Sequence, residues 1–439
     1  MSDPSRDERF ALRADGIPKA RYTSADFARL EAERLWSRCW QVACRSEEIP
    51  APGDYTVYDI VDQSFLIVRQ EDGSAAAFRN VCPHRATQLA VGSGSFAGHR
   101  IVCPFHGWTW RCDGVNAFVL DPGEFCGGAP TPERVDLRRC QVAEWLGCVW
   151  INPDPAAPPL SDRIASIRGY VEPLRLEEMR VHWWYRTRLA ANWKVAQEAF
   201  LEGYHTPGTH PQLPQFTPSG AMVHRGLRYE LYAGGHSSFQ MAPGGRDGAR
   251  PLALEELRDQ LTQLHEGLDA MVLADEVELL RELAARGIPA GSSAPAAFLA
   301  GLYERAARAG RKLPEPEPET LQKWGGECFL FPNFFFLPQF GNALSYRSRP
   351  DGSDPDACIF EVWSLTLVRA GEVRQRPRVC DVAPDDTTRW REIPLQDFSN
   401  IPRMQRGLHS AGFEATQLAA HQERSILHLH REIDRYLER

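Results

Sequence analysis

The sequence predicts an α+β protein, in which a small antiparallel β domain is followed by a larger domain that contains both helices and buried strands. Three observations support this fold class. Short strand-like segments separated by turn residues fill residues 40–151. A proline-rich stretch at residues 152–159 then marks a boundary. Beyond it, long helical patterns alternate with apolar runs that are typical of buried strands.

Length and composition allow this organisation and exclude several classes of partner. The chain has 439 residues, of which 43% are hydrophobic, so it can bury the cores of two domains. Its net charge is −8 and it has no dense basic run, so we expect neither nucleic acid nor an anionic membrane as a partner. The charged N-terminal segment contains no apolar signal-peptide core. Eleven scattered cysteines fit reduced thiols, and we therefore expect a cytoplasmic protein.

The first element is an N-terminal helical segment, residues 1–39. Residues 23–38 have the spacing of an amphipathic helix, with Thr23 and Asp26 as a capping box. We expect this helix to pack beside the small β domain.

The small domain is expected at residues 40–155. Residues 55–58, 65–68 and 75–81 have the composition of strands, and residues 145–151 are predicted to be the last strand before the boundary.

Two short Cys/His motifs interrupt these strands. Cys82 and His84 form the first, Cys103 and His106 form the second, and eighteen residues separate His84 from Cys103. Each motif contains a proline, which favours a tight turn. Two thiolates and two neutral imidazoles can hold a [2Fe–2S] cluster, because histidines can replace the cysteines on one of its irons.

A zinc site is the alternative interpretation of the same residues, since two cysteines and two histidines are a common structural zinc set. Zinc motifs usually pair like with like, whereas each motif here combines one cysteine with one histidine. A second alternative is an iron–sulfur electron carrier without chemistry of its own.

A second group of chemically active residues follows the boundary. Residues 192–206 have a helical pattern that Pro207 and Gly208 interrupt. On such a helix Glu202 and His205 would share one face, and His210 would be returned to them by the turn. Two histidines with one carboxylate form the facial triad that leaves positions open on ferrous iron. A helix histidine is more often simply solvated or hydrogen-bonded, so this spacing alone leaves the role open.

Further along, residues 327–337 and 359–368 are nearly continuous apolar runs that predict strands buried on both faces. If some of their aromatic side chains line a cavity, its ligand is mainly apolar.

The two motifs together resemble those of the Rieske non-heme iron oxygenases, in the catalytic alpha subunits of the aromatic ring-hydroxylating dioxygenase family. The likeness includes residues 106–110, HGWTW, and residues 192–194, NWK, and it covers residues 25–235 and 325–430. It implies that residues 40–155 form a Rieske domain. It also implies that residues 160–439 form a helix-grip catalytic domain, in which helices surround an antiparallel sheet. A helical insertion at about 250–320 is covered poorly by the resemblance.

The resemblance also implies roles for individual residues. Cys82, His84, Cys103 and His106 would hold the Rieske cluster. His205 and His210 would bind the mononuclear Fe(II), and Glu202, where the family more usually has Asp, would connect that iron to a Rieske histidine of a neighbouring subunit. The candidates for the carboxylate ligand are Asp381, Asp385, Asp386 and Asp397. We favour Asp397, because Gln396 and Asp397 resemble a Gln-Asp pair in a late helix of the family.

The function implied is that of a terminal oxygenase, which uses O₂ and electrons from NAD(P)H to hydroxylate an apolar aromatic or alicyclic substrate. The alternative is an oxidative N- or O-demethylase of a methylated or quaternary ammonium compound. A non-enzymatic iron–sulfur or zinc protein is the third hypothesis.

The expected partners are a flavin reductase, with or without a ferredoxin, and two further copies in a homotrimer, with or without a small second subunit. We also expect Arg79, Arg85, Arg100 and Arg111 to form a docking face for an acidic electron donor.

Overall fold

The computed structural model of the protein describes residues 7–14, 16–213, 222–241, 252–315, 317–369, 371–372 and 375–438. For residues 223, 224, 241 and 322 only the backbone is described. Three predicted segments therefore lie partly outside the described residues. They are the N-terminal segment at residues 1–6 and 15, the helical insertion at residues 250, 251 and 316, and the catalytic domain at residues 214–221, 242–249, 370, 373–374 and 439.

The chain forms two compact units. The β unit consists of residues 32–162 with the described part of 373–377, and the α+β unit contains the described residues before 32, from 163 to 372, and from 378 onward. The sequence-based limits of the small domain, 40–155, fall within the β unit.

The β unit is built from ten short strands in three antiparallel sheets. Their orders are β1-β10-β9, β4-β3-β2-β5 and β6-β7-β8. The strands are β1 Gln41–Arg45, β2 Asp54–Ile60, β3 Gln63–Arg69, β4 Ala75–Arg79, β5 Ser93–Ser95, β6 Arg100–Val102, β7 Thr109–Arg111, β8 Asn116–Phe118, β9 Gln141–Trp145 and β10 Cys148–Asn152.

The predicted last strand, residues 145–151, is in fact a hairpin. Strand β9 ends at Trp145 and β10 begins at Cys148, and the two pair antiparallel. Leu146 and Gly147 between them both have positive φ, 56° and 70°. Two such residues form the mirror-image turn that suits the right-handed twist of a hairpin. The apolar run concealed this turn because Leu146 is not a residue that usually marks one.

In the described residues of the α+β unit, one eight-stranded sheet forms the centre. Its order is β12-β13-β14-β15-β16-β17-β11-β18, and every neighbouring pair is antiparallel except β11 and β18. The strands are β11 Met179–Leu189, β12 Leu227–Leu231, β13 Ser237–Met241, β14 Glu327–Leu330, β15 Phe334–Gln339, β16 Asn342–Pro350, β17 Cys358–Leu367 and β18 Val379–Asp381.

Helices pack against this sheet and against one another. Helix α6 contacts β16 and β17, α12 contacts β11, and α13 contacts β12, while α8, α9 and α10 of the predicted insertion pack together. The α-helical segments are α1 Ala20–Thr23, α2 Ala25–Leu30, α3 Pro132–Val135, α4 Leu160–Ile164, α5 Arg168–Val171, α6 Trp193–Glu198, α7 Thr206–Thr209, α8 Leu254–Leu268, α9 Ala274–Arg286, α10 Ala294–Arg308, α11 Pro318–Lys323, α12 Glu392–Leu408 and α13 Arg424–Leu437. In the described part of the chain, no helix is both long and apolar enough to cross a membrane.

The N-terminal helix differs from its prediction. Thr23 is the last residue of α1, and its hydroxyl donates to the carbonyl of Lys19, so it caps no following helix. Helix α2 continues into a π-helical turn at Glu31–Trp36. Helices α1 and α2 belong to the α+β unit. Glu31, which directly follows α2, forms a buried ion pair with Lys194 of α6 at 2.8 Å.

The apolar run at residues 327–337 is also two elements. Strands β14 and β15 pair antiparallel through Cys328 and Phe336, with residues 331–333 as the turn between them. The run at residues 359–368 corresponds to β17, as the sequence predicts.

Candidate functional site

The first candidate site lies in two equivalent loops of the β unit. In the loop after β4, the N–H of Ala86 donates to the carbonyl of Cys82 at 2.9 Å. In the loop between β6 and β7, the N–H of Gly107 donates to the carbonyl of Cys103 at 3.1 Å. Ala86 and Gly107, each four residues after its cysteine, both have positive φ. The two loops are therefore tight turns that present their side chains in the same way.

These loops bring like side chains together. The buried thiols of Cys82 and Cys103 are within hydrogen-bonding distance of each other. The rings of His84 and His106 are half-buried, with their centroids 4.5 Å apart. The Nδ1 atom of His84 is buried and has no hydrogen-bond partner among the residues described. One thiol pair and one imidazole pair, with an imidazole nitrogen free to ligate, fit a [2Fe–2S] cluster whose irons have different ligands.

Backbone dipoles at the thiol pair favour one thiolate. Burial raises the pKa of the Cys103 thiol, but the N–H groups of Phe105 and His106 and the hydrogen bond with Cys82 outweigh this, so its pKa lies below the usual value. Burial raises the pKa of the Cys82 thiol above its usual value. Backbone N–H groups directed at sulfur stabilise the negative charge that a metal-bound thiolate carries.

Trp108 covers the imidazole side of this site. Its ring stacks on that of His84, with centroids 4.8 Å apart and planes 6° apart. Trp108 is buried in the same apolar core as Cys82 and Cys103. In the sequence, Trp108 stands out only as part of the HGWTW run. Its role could be inferred only from the packing, which fixes the orientation of the His84 ring.

The second candidate site lies in a loop of the α+β unit, not on the predicted helix. Helix α6 ends at Glu198, and residues 199–205 are irregular up to the short helix α7. The N–H of Gly203 donates to the hydroxyl of Tyr229 at 3.0 Å. The N–H groups of Tyr204 and His205 both donate to the carboxylate of Glu202. Side chains therefore take the donors that would have continued the helix.

His205, His210 and Asp397 converge in this region. One ligand atom from each lies within 4.8 Å of the other two. The carboxylate oxygen Oδ1 of Asp397 is 3.1 Å from Nε2 of His210 and 3.8 Å from Nε2 of His205. His210 and Asp397 are buried and His205 is half-buried. Two imidazole nitrogens and one carboxylate with these separations fit a facial triad for ferrous iron.

The second nitrogen of each histidine is held by another side chain. Nδ1 of His205 lies 2.7 Å from Oε1 of Glu202, and Nδ1 of His210 lies 2.6 Å from Oε1 of Gln396. Burial alone would lower the pKa of His205, but Glu202 raises it by hydrogen bonding and by its charge. Both contacts direct Nε2 of each ring toward Asp397, as outer contacts of metal-binding histidines usually do. This contact of Gln396 could not be predicted from its place beside Asp397 in the sequence.

The other candidate carboxylates lie elsewhere. Asp381 is exposed in β18, where it pairs with Arg186 at 2.6 Å. Asp386 accepts hydrogen bonds from the backbone and hydroxyl of Thr388, and Asp385 beside it is exposed. Helix α12, which carries Asp397, is the predicted late helix.

Two family models match the chain, one in each part. Residues 39–120 match the family model described as the Rieske [2Fe-2S] domain. Residues 176–274 and 282–439 match the model described as the ring hydroxylating alpha subunit (catalytic domain). The chain belongs to the Rieske family of ring-hydroxylating alpha subunits. The predicted family is thereby confirmed, and these two domains imply a Rieske cluster and a mononuclear iron.

Two curated relatives of this Rieske alpha subunit illustrate its similarity to known proteins. It is 29% identical over 245 residues to the carnitine monooxygenase oxygenase subunit of Acinetobacter baumannii, covering 53% of this chain and 63% of that protein. It is 32% identical over 210 residues to the glycine betaine monooxygenase oxygenase subunit of Pseudomonas aeruginosa, covering 48% of this chain and 47% of that protein. The chain thus spans about half to two thirds of the length of these relatives.

Solved structures support the fold. The quaternary ammonium Rieske monooxygenase CntA in complex with L-carnitine matches with a TM-score of 0.63 and 18% identity, covering 96% of both chains. Naphthalene 1,2-dioxygenase with indole bound matches with a TM-score of 0.69 and 18% identity, covering 100% of this chain and 95% of the other. The predicted fold class, a small β domain followed by an antiparallel sheet with helices, is confirmed.

Proposed function

We propose that this Rieske alpha subunit is the terminal oxygenase component of an O₂-dependent oxidoreductase that hydroxylates a C–H bond or an arene of a small molecule. The observation that carries the proposal is the convergence of His205, His210 and Asp397 within 4.8 Å, in a chain that also contains paired thiols and paired imidazoles. An electron carrier would not need the second set of ligands.

Each set of residues has a separate task in this proposal. Cys82, Cys103, His84 and His106 hold the [2Fe–2S] cluster, and His205, His210 and Asp397 hold Fe(II). When bound, the cluster supplies single electrons and the Fe(II) supplies open positions for O₂. Glu202 and Gln396 fix the orientation and the protonated nitrogen of the two ligand histidines.

The proposed assembly is a homotrimer in which each copy contacts the next. Exposed apolar side chains cluster near the cysteine and histidine loops, among them Phe105 at 60% exposure, Val91 and Val102. In the α+β unit, Tyr204 beside His205 is 55% exposed. Apolar side chains of this size are suited to contact with another protein surface. A closed ring satisfies such a contact between two different faces of identical copies, with or without a small second subunit.

Electrons are proposed to come from NAD(P)H through a flavin reductase, with or without a ferredoxin. Two of the four arginines expected at a docking face have partners within the chain: Arg79 bonds Gln63, and Arg111 pairs with Asp113. Arg85 and Arg100 are exposed, and Arg85 lies over the ring of Phe105. We therefore restrict the proposed docking face to Arg85 and Arg100. We also propose a reducing, cytoplasmic location, because none of the eleven cysteines, all of which lie within the described residues, forms a disulfide.

Two classes of substrate are compatible with this reaction. The aromatic rings of Phe200, Phe335, Tyr346 and Phe360 pack together on one side of the sheet, with Phe200 and Tyr346 4.7 Å apart, and favour an apolar aromatic or alicyclic substrate. The relatives named as carnitine and glycine betaine monooxygenases favour the second class, methylated or quaternary ammonium compounds.

Substrate-dependent turnover tests the proposed function. The iron-loaded chain is mixed with NADH and a surrogate flavin reductase, and O₂ consumption is measured with panels of aromatic, alicyclic and methylated ammonium compounds. We expect at least one panel to stimulate O₂ consumption, and the variants His205→Ala and Asp397→Ala to abolish it while keeping the visible spectrum of the cluster. A spectrum without a cluster, or equal O₂ consumption in the variants, would contradict the proposal.

A further inference from the structure

Glu327 is a buried carboxyl group that has no compensating partner in the part of the chain that the structure describes. It is the first residue of β14 and is 3% exposed, and among the described residues it has no hydrogen-bond or ion-pair partner for its side chain. Other buried acids in this unit are compensated: Glu361 bonds Arg347 at 2.8 Å, and Glu31 bonds Lys194 at 2.8 Å. Burying an ionised carboxylate without such a partner costs free energy. The group is therefore expected to bind a proton or a ligand.

The register of the sheet shows which face Glu327 occupies. Tyr229 of β12 is directly opposite Phe239 of β13, and Phe239 is directly opposite Glu327 of β14. Directly opposite residues of antiparallel strands project to the same face of a sheet. The three side chains therefore form one row across three strands, and the rings of Tyr229 and Phe239 are 5.3 Å apart.

This row lies next to the loop that carries the candidate iron ligands. The hydroxyl of Tyr229 accepts the N–H of Gly203, which is two residues before His205. The negative charge of Glu202 also acts on Glu327. Phe239, unlike Tyr229, is only half-buried, so this part of the row is not completely closed by protein.

The surroundings of Glu327 disfavour a negative charge on its carboxyl group. Burial, and then the like charge of Glu202, hold the pKa of Glu327 well above its usual value. Among the described residues, no positively charged side chain opposes these effects on the pKa of Glu327. A ligand cation in contact with the carboxylate would lower the pKa of Glu327 and so oppose both effects. Aromatic rings in the same row attract cations through their π faces.

We propose that Glu327, with Phe239 and Tyr229, binds the cationic nitrogen of a methylated or quaternary ammonium substrate and thereby determines substrate specificity. The inference rests on the proposed function and decides between its two substrate classes. An ammonium group held in this row has its N-methyl groups beside the loop of His205. An uncharged aromatic substrate would leave Glu327 without a partner.

Equilibrium binding tests this assignment without requiring turnover. The iron-loaded protein is titrated calorimetrically, without O₂ or reductant, with choline and with its uncharged carbon isostere 3,3-dimethylbutan-1-ol. These probes have the same shape and differ in charge. We expect the wild-type protein to bind choline about tenfold or more tightly than the isostere, and the variant Glu327→Gln to reduce that ratio to about one.

Glu423→Gln is the matched control. Glu423 also lies near the charge of Glu202, but its carboxylate accepts the backbone N–H of Ala419. Removing that charge should leave the choline preference intact. The cluster spectrum and the iron content of each variant verify that it is folded and loaded.

The outcomes separate this inference from the proposed function. Equal binding of the two probes by the wild-type protein, or an unchanged ratio in Glu327→Gln, overturns the role of Glu327. In either case substrate-dependent O₂ consumption with an aromatic compound would still support the oxygenase. Equal loss of preference in Glu423→Gln and Glu327→Gln also overturns the assignment, because it would mean that only the total charge matters.

Discussion

The Nδ1 atom of His205 lies 2.7 Å from a carboxylate oxygen of Glu202, and the other oxygen of the same carboxylate accepts the backbone N–H of His205 at 2.9 Å. Glu202 therefore fixes both the ring and the loop of a proposed iron ligand. We predict that Glu202→Ala lowers the affinity for the mononuclear iron about 10- to 100-fold. Titration of the metal-depleted protein with Fe(II) under anaerobic conditions measures this affinity.

Glu202→Asp is the control variant for the length of the side chain that contacts His205. An aspartate has one methylene fewer, so it should recover part of the affinity. The cluster spectrum should be the same in both variants, since the cluster ligands lie in the β unit. Unchanged Fe(II) affinity in Glu202→Ala would show that this contact does not orient the ligand.

Gln396 has the corresponding role at the second histidine. Its Oε1 atom lies 2.6 Å from Nδ1 of His210 and also accepts the amide of Gln212 at 2.9 Å. We predict that Gln396→Leu lowers Fe(II) affinity by about 10-fold or more, because the ring of His210 loses its fixed orientation. The same anaerobic titration measures it. Gln212→Ala, which removes a neighbour of Gln396 without touching His210, should have a much smaller effect, and equal effects would contradict the assignment.

Arg85 and Arg100 are predicted to accelerate reduction by an acidic donor protein. Charge reversal of both to Glu should slow reduction of the cluster by the donor about 10-fold or more at low salt, with a smaller difference at high salt. Stopped-flow absorbance of the cluster measures the rate. Dithionite reduction of the same variant should be unchanged. The matched control reverses Arg281 and Arg308, two exposed arginines of the α+β unit. An equal loss in that control would mean that only net charge matters.

Lys194 and Glu31 are predicted to contribute to stability as a pair. Both side chains are buried and their charged atoms are 2.8 Å apart. Lys194→Met leaves the Glu31 carboxylate buried without its partner, and we expect a loss of about 3–5 kcal/mol in the free energy of unfolding. Urea denaturation of the metal-depleted chain, followed by tryptophan fluorescence, measures the change. The double variant Lys194→Met/Glu31→Gln should recover much of the loss, and no recovery would argue against the pair.

The two ligand sets differ in how far the sequence could predict them. Cys82, His84, Cys103 and His106 lie in two short loops, so local spacing and proline content were enough to group them. Asp397 is separated from His210 by almost half the chain, and spacing could not select it from Asp381, Asp385 and Asp386. Only the resemblance of the late helix favoured it, and the structure brings Asp397 to the histidines.

What the sequence could not predict depends on contacts between distant segments. The helical pattern at residues 192–206 continues past Glu198, but Tyr229 and Glu202 take the backbone donors of residues 203–205. No periodicity within the segment contains that information. The role proposed for Glu327 could likewise not be predicted from its position at the start of an apolar run. The register of β13 and β14 was needed to place it opposite Phe239. The loop at residues 199–205 and Glu327 both belong to the proposed functional region. Local sequence rules most often fail at such sites.

The iron content of the purified, fully loaded chain tests most directly whether two separate iron centres are present. We predict about three irons and two acid-labile sulfides per chain, with about two irons and an unchanged cluster spectrum in Asp397→Ala. Fewer than about three irons per wild-type chain, zinc in their place, or loss of the cluster spectrum in Asp397→Ala would contradict the account.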